Sequence, residues 1–255
     1  MISAEIKIYF NTRLFWVLNA LSLGMLLLYS LLMVGMDRVG LMPMTAFDYL
    51  INANNTYVTT LFPLLVVLFS AYTFSNEYRY RTLMIPLFEG VQRRYIVLGK
   101  VVLCALSTLT FVLVYFVGSV GLAFGLFSAQ DMFLENRALS ALEVICRMGS
   151  AMLWTALVVF LFGLFALFLA VQFRNVLVAT VGAFLAFLGL LFTASARHNP
   201  FTPMLQIATL LTQTADLAAV IHGPLVPGFS IWLATVAIVI GGLWLSFHRQ
   251  DIVFE

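Results

Sequence analysis

The stretch NEYRYRTLMIPLFEGVQRRYIVLGK, residues 76–100, governs how this chain is read. Arg79, Arg81, Arg93, Arg94 and Lys100 crowd into it, while the runs on either side are long, apolar and almost uncharged. A basic segment held between two apolar runs is the pattern of a loop on the positive side of a membrane. The same stretch carries Leu83, Ile85, Leu87, Phe88 and Val91, divided by Pro86 and Gly90, so it has an apolar ridge beside its charge. Such an amphipathic element lies along the membrane surface and offers its ridge to a partner. The plainer alternative is that the arginines only anchor two helix ends to anionic lipid.

Outside this stretch the composition is that of a membrane protein. Of 255 residues, 63% are hydrophobic and 9% charged, with a mean hydropathy of +1.05. A soluble fold has no way to hide that much apolar surface. At roughly 20 residues per crossing, the length accommodates about six crossings with short connections. The expectation is one all-α transmembrane domain over residues 1–255, with spans at 14–36, 56–75, 101–127, 148–173, 176–196 and 229–247.

Residues 1–13 mix Glu5, Lys7 and Arg13 with Ile2, Ile6, Ile8, Tyr9 and Phe10, the composition of a short interfacial helix. Lys7 and Arg13 precede an apolar run too long for a signal peptide, and no small-residue cleavage site follows, so the first span is expected to remain in the mature protein. Asp37, Arg38, Pro43, Asp48 and the asparagines of residues 52–55 read as a polar connection. Pro63 falls inside the second span, where neighbouring helices can satisfy the freed carbonyl. Gly121 and Gly125 have the GxxxG spacing of close helix packing. Residues 130–147 read as a polar, partly helical connection, and Arg174 and Asn175 leave room only for a tight hairpin.

Between Arg197 and Pro227 the chain is broken by Pro200, Pro203, Gly223 and Pro224. Short helices dipping into the outer leaflet suit such a segment, 197–227, because protein can bury the non-spanning backbone. With both termini on one side, Lys7, Arg13, Arg79, Arg81, Arg93, Arg94, Lys100, Arg174 and Arg249 share that side, against Arg38, Arg137, Arg147 and Arg197 on the other. Nine against four makes the first side cytoplasmic. Cys104 and Cys146 stand apart inside or beside apolar runs and read as two buried thiols, not a disulfide or a metal site.

Missing chemistry narrows the function. There is no GxxxxGK[ST], GxSxG or HExxH, so neither a nucleotide cradle nor a familiar hydrolase site is present. No ionisable residue stands at the middle of an expected span, whereas ion-coupled transporters generally need one there. No internal repeat is visible, and nucleic acid is not an expected partner. An energy source is therefore expected to act from outside the bilayer, and the basic stretch is the natural point of contact. Two other classes stay open: a non-transport membrane scaffold or immunity protein, and an intramembrane enzyme built on His198, Asp216 and His222.

The residues around the basic stretch resemble the permeases of ABC-2-type ABC transporters. That family has a Glu at the cytoplasmic end of the second helix, then Gly-Thr-Leu, Pro-Val-Ser-Arg, and a Gly-Lys leading into the third helix. This chain has Glu77, Thr82 and Leu83, Val91 and Arg93, and Gly99 and Lys100 in similar register, with Arg81, Gly90 and Gln92 replacing the family's Gly, Pro and Ser. Phe247, Arg249, Asp251 and Ile252 resemble the family's ending.

The resemblance implies an ABC-2 (type V exporter-like) permease fold with six transmembrane helices, cytoplasmic termini and a coupling segment at 77–93. It implies two permeases, identical or homologous, working with two copies of an ATPase subunit that carries the ATP and Mg, so this chain is itself no enzyme and needs no cofactor. The ATPase-coupling residues it implies are Glu77, Arg79, Arg81, Thr82, Leu83, Ile85, Leu87, Phe88, Arg93 and Lys100. Among these, Glu77 would fix the end of the second helix, the ridge residues would meet the ATPase, and Arg93 and Lys100 would hold the return into the third. The uncharged spans suggest an amphipathic or hydrophobic substrate such as a peptide, lipid-like molecule or drug, exported across a bacterial-type cytoplasmic membrane.

Overall fold

Without water to satisfy backbone groups, an apolar run in a bilayer must close its hydrogen bonds within itself, and the simplest closure is a helix. The computed structural model describes residues 7, 11–79, 90–128, 132–134, 137–193, 207 and 224–249. Its helices are α1 (Arg13–Arg38), α2 (Ala46–Thr56), α3 (Phe62–Arg79), α4 (Arg93–Leu126), α5 (Ala141–Phe173), α6 (Val176–Thr193) and α7 (Val226–Arg249). A π-helical turn, Tyr57–Leu61, joins α2 to α3. The remaining regular element is a two-stranded antiparallel ribbon of β1 (Met132–Leu134) and β2 (Arg137–Leu139), paired Met132 to Leu139.

The helices run further than hydropathy alone indicates. The asparagine-rich segment expected as a connection is helical from Ala46 onward, because Thr45 and Asp48 form a capping box: the Asp48 amide donates to Thr45 Oγ1 at 3.2 Å and the Thr45 amide to Asp48 Oδ2 at 3.1 Å. The helical run leading into α3 therefore begins at 46, not 56. Pro63 accounts for the π-turn, since its ring lacks the N–H that the carbonyl four residues earlier, that of Thr59, would accept from, and crowds that carbonyl. The wider turn has the Phe62 amide donating to Tyr57 O. The third span likewise starts at Arg93, not 101, and the fifth helix of the chain at Ala141, not 148.

α5 and α3 form the centre. In α5, 61% of the most apolar window is buried, against 28% in α1 and 11% in α7. Phe62, Leu65, Val66, Phe69, Ala71 and Phe74 of α3 are all buried. At their crossing with α4, Gly163 allows an approach that no side chain would permit: a Cβ there would stand 2.6 Å from Cys104 Sγ and 3.0 Å from Val66 Cγ1. Gly118 does the same for α4 against α1, with Leu26 Cδ2 at 3.1 Å.

Two expectations fail at this level. Among the described residues Gly121 and Gly125 pack no helix; no described side chain lies within 4 Å of where their Cβ would be. Their spacing is right but their face of α4 points outward. Cys104 is buried as expected, whereas Cys146 is exposed, because it lies on the outward face of a turn whose Val144, Arg147 and Met148 are buried.

The turn between α5 and α6 uses Arg174 in the left-handed region, φ 52°, followed by Asn175, whose Oδ1 accepts from the Leu177 amide at 2.9 Å. α1 is offset along the bundle. Phe15, near its start, packs on Phe69 at 6.2 Å and Phe111 at 5.9 Å. Phe111 lies about three turns along α4 from Lys100, roughly 16 Å at 1.5 Å per residue, so α1 does not reach the end where Lys100 sits.

Candidate functional site

Two polar regions stand out from the apolar packing, one at each half of the bundle. The first lies where α3 ends, α4 begins and α7 ends. Lys100 is 1% exposed, and its ammonium forms an ion pair with Glu77 Oε1, from a side chain that is 23% exposed. A buried ammonium needs a paired anion, since its desolvation costs several kcal/mol. With that pair made, α4 continues as a helix through Gly99 and Lys100 instead of breaking there. Lys100 is therefore an interior residue of α4, where the sequence pattern places it at a helix boundary.

Arg93 is the first residue of α4, preceded by Gln92 in extended conformation. Its Nη1 donates to two carbonyls at the end of α7, Phe247 O at 3.3 Å and His248 O at 3.0 Å. Those carbonyls stand near the C-terminal end of α7 as described, where the helix dipole favours a cation. The Phe247 ring packs edge-on against Phe74 of α3, centroids 5.5 Å apart. Gln172 of α5 donates to Ser246 Oγ at 2.8 Å. Four helices, α3, α4, α5 and α7, thus close around one end of the bundle, with Arg94 next to Arg93 and set over the Tyr95 ring at 5.0 Å.

Of the residues expected to couple to a partner, Glu77, Lys100 and Arg93 are brought to this end. Arg79 ends α3. Arg81, Thr82, Leu83, Ile85, Leu87 and Phe88 lie outside the described residues, as do residues 1–6 and 8–10 of the expected interfacial helix and the trio His198, Asp216 and His222. Gly90 adopts φ 78°. Proline, fixed near φ −65°, is excluded from that conformation, so the turn entering α4 differs from one built on Pro-Val-Ser-Arg. The acceptors of Arg93 are not legible in sequence, because backbone carbonyls carry no residue-type signal.

The second region joins α1, the π-turn and α4. Ser22 Oγ donates to the Tyr57 hydroxyl at 3.1 Å, and the Tyr57 and Tyr115 rings stack with centroids 3.5 Å apart. The Tyr115 hydroxyl donates to Ala53 O at 2.9 Å, and Ser30 bonds the Tyr49 hydroxyl at 2.5 Å. Beside this network lies a cleft of about 290 Å³ bounded by Met25, Leu28, Tyr29, Thr60, Leu61 and Tyr115. Neither region is a metal centre: among the described residues there is no group of three or more His, Cys, Asp and Glu side chains.

α1, α4, α5 and α7 are each long and apolar enough to cross a membrane, which makes this a multi-pass helical membrane protein. Residues 16–253 match the family described as "protein of unknown function (DUF2705)", and the chain belongs to that family. No curated protein matches it.

Proposed function

We propose that this chain is the membrane-spanning permease subunit of an ATP-driven exporter of the ABC-2 type. α1, the α2–α3 unit, α4, α5, α6 and α7 form six crossings with both termini in the cytoplasm. Two permeases, identical or homologous, work with two copies of a separate ATPase that binds ATP and Mg. Residues 80–92 form the segment on which the ATPase acts. The substrate is amphipathic or hydrophobic, a class the apolar cleft between α1 and the π-turn suits.

One observation carries the reading: the helices on either side of residues 80–92 are tied by the ion pair of half-buried Glu77 with buried Lys100. A push on a segment whose flanking helices are tied to each other moves both helices, whereas the same push between untied helices is absorbed locally. The test is affinity purification of the chain from native membranes. A P-loop ATPase should accompany it, and L87D/F88D should lower ATPase recovery at least tenfold at an unchanged level of folded permease. Undiminished recovery would remove the ridge from the interface. Absence of any ATPase would sink the permease reading in favour of a membrane scaffold.

A further inference from the structure

We infer that Arg93 is a positioning residue that makes α7 follow the movement of residues 80–92. The inference rests on reading those residues as the segment an ATPase acts on, and adds the route by which their motion reaches the last helix. Arg93 is suited to the task by its place in the chain, since it opens α4 directly after residues 80–92. Displacing the segment displaces Arg93 almost directly.

Its charge serves α7 rather than its own helix. A cation in the first turn of α4 opposes that helix's dipole, whereas the same cation at the end of α7 is favoured. The guanidinium spans the Phe247 and His248 carbonyls at 3.3 and 3.0 Å, bonds strengthened by its charge. α7 packs on α5 through Trp232, Val236 and Ile240, yet only 11% of its most apolar window is buried. Leu243 and Phe247, buried at this end, and the Gln172–Ser246 bond gather its anchorage near Arg93. Towards the other end, Trp232 Nε1 donates to Leu157 O at 2.7 Å.

The tie itself is tested on the full chain alone in nanodiscs, by amide hydrogen exchange over residues 243–248. Loss of a charge-assisted bond in R93A should speed exchange there by about tenfold, with a smaller change in R93K. An unchanged rate in R93A overturns the tie. The transmitted motion is tested on the assembled permease–ATPase complex by pulsed EPR between labels at S230C and L142C in a C146S background. Addition of nucleotide should shift that distance, and R93A should reduce the shift by at least half; R93K takes its place if R93A does not assemble. A nucleotide shift of equal size in the variant overturns the inference. If no ATPase is captured at all, the coupling reading and the transmitted motion fall together, while the exchange result still decides the Arg93 tie.

Discussion

The two polar regions of the bundle hold helices together by opposite means. At the α3–α4–α7 end charged groups make the ties: Lys100 pairs with Glu77, and Arg93 donates to the Phe247 and His248 carbonyls of α7. In the α1–π-turn–α4 half, no charge is used. Ser22, Ser30, Tyr49, Tyr57 and Tyr115 share hydrogen bonds and stacked rings along more than one helix turn. Charge concentrates the energy in single contacts, and a buried charge that loses its partner keeps the full cost of its burial. Neutral hydroxyl contacts within helix bundles are worth little each, and each of them can be lost singly. One end is therefore built to hold or fail as a unit, while the other yields by degrees.

The largest effect that separates them is expected from Glu77→Ala. It removes the carboxylate paired with the buried Lys100 ammonium and should destabilise the protein by about 3–5 kcal/mol, read as an earlier midpoint in denaturant titration of the micelle-bound chain. The charge-swapped double variant E77K/K100E should recover part of that loss. If E77A unfolds like the unchanged protein, Lys100 is not held by Glu77.

A smaller loss, about 1–3 kcal/mol, is expected from Gly163→Val at the crossing between the two regions. There the added carbons meet Cys104 and Val66. The matching change Gly121→Val should be close to neutral within one chain, because no described side chain lies within 4 Å of its Cβ position. Equal effects at both glycines would contradict the packing at Gly163. The smallest effect belongs to the hydroxyl network. Tyr57→Phe removes the Ser22 partner but keeps the ring stack, for about 0.6 kcal/mol. A double-mutant cycle with Ser22→Ala resolves that coupling, and a value near that for Glu77–Lys100 would erase the contrast between the regions.

Parts of this architecture are legible in residue types. Apolar runs announce the helices, and the clustered arginines mark the end where Glu77, Arg93 and Lys100 meet. Thr45 and Asp48 carry the capping box in plain view, yet the polar asparagines that follow outweigh it in a hydropathy reading. Pro63 reads as an interruption, but nothing local shows that the chain answers it with a π-turn instead of a kink. Gly121 and Gly125 have the better-known spacing, whereas Gly163 and Gly118 have the contacts. A glycine's role depends on which helix crosses it, and that is absent from its neighbours in sequence.

Residue order alone is enough to make this protein helical, to put it in a membrane, and to mark the short stretch that gathers its positive charge. Those properties follow from composition and local order, because transfer to a bilayer and backbone closure are settled residue by residue. It took the packed bundle to bury Lys100 against Glu77, to set Arg93 on the end of α7, and to offset α1 along its neighbours. Each of those depends on groups far apart in the chain, brought together by packing that no local pattern records.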